Sequence, residues 1–320
     1  MKLSEIRKIS QNLTVPSQQI DFNQLQPLLQ QLGYSYKNLY QELEMDSPYA
    51  DTHMDISFSN ANLQFHSHAF YELICCHNTC GAEYLVGTER YKLQKGDIIF
   101  VPPDISHRAI LPEHVTEPYK RDVLWISTDF MASVMSINPE HIPLAFQGPM
   151  LFRTAGTHWT FICELFHTGV KEASQQNIGW EAMVISNSLA ILTHLYRASK
   201  DMQAKPLKAE KPELVDQVLA YIEQHLSEKI TLADIAHHFF VSESTITQTF
   251  RKKMNVSFYR CVTQRRLIAA KTQIEKGFPL DHVSEQVGFS DYSSFFRAFK
   301  QEYGISPRQY RKMQTGAEGK

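Results

Sequence analysis

The sequence has 320 residues, of which 43% are hydrophobic and 21% are charged, and its formal net charge is −2. These proportions exclude a disordered or fibrous chain, and the length suffices for two domains with cores of their own. The first residues lack the apolar core of a signal peptide, and no apolar run approaches the roughly 18 residues of a membrane span, so we expect a cytoplasmic protein.

Charges and cysteines are distributed unevenly along the chain. Residues 1–204 carry a net charge of −7 and residues 205–320 one of +5, so only the second half has the charge expected of a polyanion-binding region. The five cysteines form no framework of paired spacings, and we expect reduced thiols. Three of them lie in the run CCHNTC at 75–80, which lacks a second pair of ligands, so a zinc or redox role is the weaker interpretation there.

Residues 1–50 predict a helical segment. Helix-like patterns cover residues 3–13 and 22–32, and they would either cap the next domain or contact a partner. From residue 51 to 150 the pattern changes to short apolar runs separated by turns about every eight to twelve residues. Such runs predict an antiparallel β-sandwich or barrel.

Two segments of this β-rich region carry groups suited to chemistry. One is the run HSHAFYE, from His66 through His68 to Glu72, and the other, residues 96–107, ends at His107. In a strand His66, His68 and Glu72 would share one face, and three imidazoles with one carboxylate suit a divalent transition metal. The segments resemble the paired motifs of the cupin fold, in which such residues converge inside a small β-barrel. A role as pocket wall without metal remains the alternative.

Residues 151–200 predict two amphipathic helices with a break around residues 175–179. The second helix is apolar over much of its circumference and therefore needs more than one partner surface, although covering the barrel would be the simplest role for the pair. Residues 201–212 contain two prolines and no apolar period, which predicts a linker.

Residues 213–315 contain one helical pattern twice. In the second copy, apolar residues at helical spacing end at Gly288, and Ser290 and Asp291 follow as candidate N-caps of a further helix, which predicts a helix-turn-helix. Residues 231–253 match it at an offset of 48 through the turn and 49 later on, and residues 258–276 predict a connecting helix. A rigid connector can hold two reading helices about one turn of DNA, roughly 34 Å, apart.

The run GFSDYSSFFRAFKQEYGISPRQYRK resembles the signature of the AraC/XylS family of bacterial transcription regulators. The resemblance implies an α+β multidomain protein. Its N-terminal part would be a cupin-like antiparallel β-barrel with a helical dimerisation pair, and its C-terminal part an all-α tandem helix-turn-helix domain. Two positions depart from the family pattern: Phe240 replaces a Gly or Asn at positive φ, which points to a turn of different construction, and Asn255 replaces a Gly.

The resemblance also implies which residues read DNA. The helix faces left free by the apolar stripes carry side chains suited to base edges and phosphates. These residues are Ser244, Thr245, Thr247, Gln248 and Arg251 in the first unit, and Tyr292, Ser293, Phe296, Arg297 and Lys300 in the second. Further candidates for phosphate contacts are Lys252, Lys253, Arg265, Arg266 and Arg308.

In the N-terminal half the resemblance implies a pocket for a small-molecule effector such as a sugar. Its predicted walls are His66, His68, Glu72, His107, Tyr84 and Trp125. We expect no cofactor, with a divalent metal at His66, His68, Glu72 and His107 as the alternative. The implied partners are double-stranded promoter DNA, RNA polymerase and a second copy of the chain that pairs through residues 151–200.

These observations predict an effector-responsive, sequence-specific transcription regulator, an activator rather than an enzyme. The competing interpretation is a metal-dependent cupin enzyme with a helical tail for protein contacts. It accounts for the histidines and Glu72 but leaves the repeated helical pattern unexplained.

Overall fold

The computed structural model describes residues 19–21, 44–59, 63, 65–78, 81–112, 114–137, 150–201, 212–254 and 256–316. The helices predicted at 3–13 and 22–32, most of the predicted linker, Cys80 and Asn255 lie outside these residues. Within the described part, no helix is both long and apolar enough to cross a bilayer.

The N-terminal half is built on two β-sheets. Strands β1, β2, β8, β3, β6 and β9 form a six-stranded sheet in that order, and β5, β4 and β7 form a three-stranded sheet. All pairings are antiparallel except that of β1 with β2. The strands are β1 (Gln19–Asp21), β2 (Ala50–Ser57), β3 (Tyr71–Cys76), β4 (Glu83–Val86), β5 (Glu89–Lys92), β6 (Asp97–Val101), β7 (His107–Ile110), β8 (Tyr119–Ile126) and β9 (Met150–Arg153).

Alternate side chains of β3 pack into different hydrophobic cores on the two faces of the large sheet. Ile74 and Cys76 point into a core shared with the three-stranded sheet, whereas Leu73 and Cys75 point into a second core under the helices. Both faces are therefore buried, which explains why residues 73–76 of this strand are continuously apolar instead of alternating. The strand expected to carry His66, His68 and Glu72 begins only at Tyr71, because His66 lies in an irregular segment that bridges to His107.

The second core is covered by helices that follow the sheets. α1 (Thr128–Ile137) precedes β9, and a 3₁₀ turn (His158–Phe161) leads into α2 (Ile162–Gln175) and α3 (Trp180–Lys200). Gln176 and Gly179 take positive φ between α2 and α3, which ends one helix and starts the next. Phe166, Ile191 and Leu195 are buried against the sheet, so one face of this pair covers it.

The C-terminal half consists of helices. They are α4 (Leu214–Gln224), α5 (Leu232–His238), α6 (Glu243–Thr249) with a π-helical extension (Phe250–Met254), α7 (Phe258–Glu275), α8 (Leu280–Gln286), α9 (Tyr292–Tyr303) and α10 (Pro307–Gly316). We call α5–α6 the first helix pair and α8–α9 the second helix pair. The long helix α7 connects them.

The turns of the two pairs have the same hydrogen bonds. In the first pair, Phe240 N donates to His237 O and Val241 N donates to Ala236 O, and residues 288 and 289 repeat both bonds at an offset of 48. Phe240 has φ 55°, and Gly288 has φ 84°. The prediction of a differently constructed first turn is therefore wrong: Phe240 accepts the left-handed conformation, and its side chain is 93% exposed.

The second loop is one residue longer than the first. Ser242 caps α6 by accepting a hydrogen bond from Thr245 N, and Asp291, at an offset of 49, caps α9 by accepting one from Ser294 N. Ser290 is thus not the cap; its hydroxyl donates to the Asp291 carboxylate. The extra residue explains why the repeat changes its offset between turn and helix.

The outer face of the three-stranded sheet packs against the C-terminal half. Phe65 and Leu85 share one buried cluster with Val215 and Leu219 of α4 and with Phe258 of α7. The side chains that face the helices are those of Phe65, Leu85 and Arg108. Each has a sequence neighbour that faces inward, namely His66, Tyr84 and His107. The same backbone therefore carries the inner and the docking surfaces.

Arginines strengthen this contact. Arg108 Nη1 donates to Met254 O, the last carbonyl of the π-helical extension, and Arg265 Nη2 donates to Gly87 O. Burial lowers the pKa of Arg108 to about 10, and within the described residues no carboxylate pairs with it. The negative end of the helix dipole at Met254 partly compensates this buried charge.

Candidate nucleic-acid interface and buried histidine cluster

The ten predicted DNA-reading residues all remain accessible on α6, its extension and α9. None is buried, and at the structural offset of 49 Ser244 corresponds to Ser293 and Gln248 to Arg297. Four pairs of predicted reading residues occupy equivalent positions on the two helices: Ser244/Ser293, Thr247/Phe296, Gln248/Arg297 and Arg251/Lys300. Two predicted residues lack a predicted counterpart, because Thr245 corresponds to Ser294 and Tyr292 to Glu243.

Sequence reasoning assigned no role to Ser294, and the cap geometry explains it. Its backbone N–H and its hydroxyl both donate to Asp291, which ties it to the start of α9. An N-cap aspartate followed three residues later by a hydroxyl residue was the signal that would have identified it.

Cationic side chains on both reading helices are free to meet phosphate. Among the described residues, Arg251, Arg297 and Lys300 form no ion pair and are exposed. Arg297 Nη2 makes only a long hydrogen bond, 3.4 Å, to Ser294 Oγ. An unpaired guanidinium at a helix surface suits the bidentate acceptors of guanine in a major groove.

Two arginines predicted to contact phosphate have other partners. Arg265 is 1% exposed, its Nη1 lies 2.7 Å from Glu223 Oε1, and its guanidinium stacks on Phe65. Arg266 donates to the carbonyls of Leu226 and Glu228. The predicted phosphate role is therefore wrong for Arg265, and Arg266 serves as an internal bridge.

The bridge made by Arg266 fixes the second helix pair against the first. Its carbonyl acceptors lie between α4 and α5, and its guanidinium faces the ring of Phe289 in the second turn at 6.0 Å. A Cβ on Gly288 would lie 2.1 Å from Leu226 O and 2.8 Å from Arg266 Nη2. Only glycine permits this approach, so Gly288 is required by packing as well as by its φ.

The predicted pocket residues of the N-terminal half converge between the two sheets. One ligand atom from each of His66, His68, Glu72 and His107 lies within 4.8 Å of the others. Glu72 Oε2 is 3.1 Å from His107 Nε2 and 3.7 Å from His68 Nε2, and Glu72 Oε1 accepts a hydrogen bond from Trp125 Nε1 at 2.9 Å.

Hydrogen bonds to the backbone set the tautomers of two of these imidazoles. His68 Nδ1 donates to Phe70 O at 2.8 Å and His107 Nδ1 donates to Ile105 O at 2.7 Å, since a carbonyl only accepts. In the neutral rings the Nε2 lone pairs therefore face Glu72, and neither nitrogen makes an aligned hydrogen bond within the described residues. Two lone pairs against a carboxylate require a proton or a metal cation between them.

Ionisation within the cluster follows from burial. Burial lowers the pKa of His68 below its ordinary value of 6.5, which favours the neutral ring. Burial alone would raise the pKa of Glu72, but the imidazoles of His107 and His68 reverse this and hold the pKa well below its ordinary value. The cluster therefore brings one carboxylate and three imidazoles together in a buried space.

The space beside this cluster is small. Tyr84, whose ring lies 6.2 Å from that of His107, joins His66 and Glu72 around a cavity of about 10 Å³. This volume holds about one water-sized body and no sugar. A larger cleft of about 450 Å³ lies between the three-stranded sheet and α7, lined by Gly87, Asp104 and Ile105 on one side and Arg265 and Thr272 on the other.

Comparison with known proteins supports the assignment of the C-terminal half. The family model described as "Helix-turn-helix domain" matches residues 235–313. The chain is 33% identical to "Probable transcriptional regulator LumQ" from Photobacterium leiognathi over 150 residues, 47% of this chain and 58% of that protein. It is 21% identical to "HTH-type transcriptional activator RhaS" from Escherichia fergusonii over 257 residues, 77% of this chain and 86% of that protein.

Among solved structures, ToxT from Vibrio cholerae is similar at 15% identity, with 84% of this chain and 100% of that chain covered and a TM-score of 0.36. The chain spans between about a third and three fifths of the length of the first curated relatives matched. The helix-turn-helix match lies on the two helix pairs, and the relatives are named as regulators rather than enzymes. The C-terminal half is therefore similar to the DNA-binding part of these regulators, which agrees with the resemblance of its sequence to the AraC/XylS family.

Proposed function

We propose that the protein is an effector-responsive, cytoplasmic transcription activator that reads promoter DNA with two helix-turn-helix units. The observation that carries this proposal is the repeated geometry of the helix pairs, with matching turns and with unpaired cations on both exposed helices. The rigid connector α7 and the Arg266 bridge would hold α6 and α9 against consecutive major grooves. The second unit, with Arg297, would discriminate bases more sharply than the first, with Gln248.

We propose that a second copy of the chain pairs through residues 151–200. One face of α2 and α3 covers the large sheet, but Phe161, Ile178 and Met183 are exposed apolar residues on and around the pair. Two copies would present four reading helices, which suits a repeated operator. The RhaS relative is named as a transcriptional activator, which supports an activating role, and an activator would also contact RNA polymerase.

We propose that the effector binds in the cleft between the cupin-like sheets and α7. The inward cavity accommodates no sugar, whereas the cleft of about 450 Å³ has the size of a small-molecule site. Polar side chains line both sides of it, among them Asp104, which pairs with Lys276, and Thr272. An organic molecule bound there would change how firmly the first helix pair is held.

We propose secondly that the inward cluster holds a divalent transition metal. The ligands would be His66, His68, Glu72 and His107, and the fixed tautomers of His68 and His107 support this set. When bound, the metal would supply positive charge that replaces protons at the imidazoles. Metal analysis of the purified full chain tests this: His68→Ala should lose one equivalent, and unchanged content in that variant would refute the site.

The function is tested by capture of genomic fragments on the immobilised full chain at low salt, followed by sequencing. We expect enrichment of fragments with a shared repeated motif, and an affinity that falls steeply with salt because phosphate contacts release counterions. An Arg251→Ala/Arg297→Ala variant should lose the enrichment while retaining its fold by circular dichroism. Absence of retention at any salt concentration would refute DNA binding.

A further inference from the structure

The face of the large sheet that lies under α2 carries a second group of metal-ligating side chains. Cys75 and His77, at the end of β3, share this face by strand alternation, and His77 N continues the ladder by donating to Lys120 O. Asp122 on β8 pairs directly with Cys75 across the sheet. Glu72, which has the opposite parity, points into the inward cluster instead, so the two groups lie on opposite faces.

Helix α2 supplies the second pair of ligands that the run CCHNTC lacks in sequence. Cys163 and His167 are four residues apart and therefore lie on the same side of this helix. His167 Nδ1 is 3.8 Å from Asp122 Oδ2, and His77 Nε2 is 2.7 Å from the same oxygen. The two imidazoles, with ring centroids 6.3 Å apart, face each other across one carboxylate.

The state of Asp122 points to a cation. Its side chain is fully buried, and within the described part of the chain neither carboxylate oxygen accepts an aligned hydrogen bond. A buried carboxylate without donors is costly unless a positive charge neutralises it. His77 and His167 are the imidazoles that approach it, and neutral imidazoles bring lone pairs that bind metal.

The thiol next to this carboxylate is suited to ligation. Cys163 Sγ lies 3.7 Å from Thr154 Oγ1 and 3.8 Å from Gly96 O. Cysteine binds metals as the thiolate, and Cys163 lies one helical turn before His167 on the same side of α2. His167, whose side chain is 58% exposed, leaves a path for an ion from solvent.

We propose that this face of the sheet holds one zinc-class divalent cation, bound by His77, Asp122, Cys163 and His167. Two imidazoles, one thiolate and one carboxylate are ligands that Zn²⁺ accepts in tetrahedral geometry. The ion would join β3 and β8 to α2, so it would stabilise the packing of the helix pair on the sheet. This site is independent of DNA binding.

Cobalt titration of the full chain tests the proposal. Reduced, chelator-treated protein is titrated with Co²⁺, whose tetrahedral thiolate complexes absorb through both ligand-field and sulfur-to-metal charge-transfer bands. We expect a charge-transfer band that is absent in Cys163→Ser and that saturates at one equivalent once His68→Ala has removed the competing inward cluster. His68→Ala should retain the band, because the inward cluster contains no thiol.

A variant of an exposed ligand separates loss of the site from misfolding, which could also abolish the band in Cys163→Ser. His167→Ala should weaken Co²⁺ binding, followed by the charge-transfer band, at least tenfold, and in the His68→Ala background it should remove the rise in melting temperature on addition of Zn²⁺. His158→Ala is the matched control, since its side chain is 60% exposed and lies near Asp201, away from the site. A band that persists in Cys163→Ser, no charge-transfer band in the unaltered chain, or equal affinities of the two histidine variants would overturn the proposal.

Discussion

Arg90 on β5 donates two hydrogen bonds to one oxygen of Asp216 on α4, from Nε at 3.0 Å and from Nη2 at 2.8 Å. Both side chains are 2% exposed, so this ion pair is buried in the contact between the three-stranded sheet and the C-terminal half. Asp216 also accepts a hydrogen bond from Glu213 N at the start of α4. One carboxylate therefore holds the helix start and the contact together.

Arg90→Met should lower the free energy of unfolding by about 3 to 5 kcal/mol, because it leaves the Asp216 carboxylate buried without its cation. Adding Asp216→Asn should recover most of the loss, since the amide is neutral and still accepts from Glu213 N. Urea unfolding measures both. Lys253→Met is the control: it removes an exposed partner of Glu213 and should change stability by at most about 1 kcal/mol.

Gly288→Ala should destabilise the protein far more than Gly277→Ala. Both glycines have φ 84°, so both variants bear the left-handed strain of about 1 to 2 kcal/mol. Gly277 has no atom within 4 Å of the new Cβ, whereas at Gly288 the Cβ meets Leu226 O and Arg266. We expect a further loss of about 1 to 3 kcal/mol by thermal unfolding. Equal losses would contradict the close packing of the two pairs.

Phe240→Gly should stabilise the first helix pair by up to about 1 kcal/mol. The gain comes from relief of the strained left-handed backbone and is reduced by the greater freedom of glycine in the unfolded chain. Phe240→Ala keeps the Cβ and should show no such gain, because the exposed ring makes little contribution. Chemical unfolding of the two variants side by side gives the comparison.

Arg297→Ala should cost about 1 to 3 kcal/mol of affinity for the operator and relax the preference at one base pair. Arg308→Ala, an exposed arginine at the start of α10, is the comparison. As a phosphate contact, it should weaken binding to all sequences alike and reduce the salt slope by about one. Binding titrations against operators with one base pair altered at a time distinguish base reading from phosphate contact. An equal loss of affinity for all operators with Arg297→Ala would refute base reading.

The cap of the second reading helix should be sensitive to acid. Hydrogen bonds from the backbone and hydroxyl of Ser294 hold the pKa of Asp291 below its ordinary value of 3.8. A lowered pKa means that its stabilisation is complete above 3.8 and is lost as the pH falls through the folded-state value. Asp291→Ser, which copies Ser242 of the first pair, should lose this dependence. Unfolding curves of both proteins between neutral pH and pH 3 provide the measurement.

Much of the C-terminal half was predictable from local patterns. Gly288, the candidate N-caps and the repeated helical pattern are local signals, and they placed the helices and the exposed reading residues. The first turn was mispredicted, because the hydrogen bonds of residues 240 and 241 outweigh the φ preference of phenylalanine. Ser290 was a plausible cap, but Asp291, one residue later, takes that position.

Long-range contacts were beyond the sequence patterns. Strand alternation correctly predicted that His66, His68 and Glu72 lie close together, but the reason was wrong. The two histidines lie outside a strand and reach Glu72 through the bridge from His66 to His107. Arg265 looked like a phosphate-binding residue because a charge on a helix is usually exposed, and only the docking of Phe65 shows that it is buried. Likewise, no spacing rule links the run at 75–80 to Cys163 and His167.

His107 and Arg108 are neighbours in sequence, yet one faces the inward cluster and the other holds the last carbonyl of the first reading helix. A single peptide unit separates the chemistry inside the sheets from the helix that would meet DNA. No chain of relaying side chains is needed, so an ion or molecule that rotates β7 by a few degrees would alter both surfaces at once. The histidine cluster and the end of the first reading helix thus contact opposite faces of one strand.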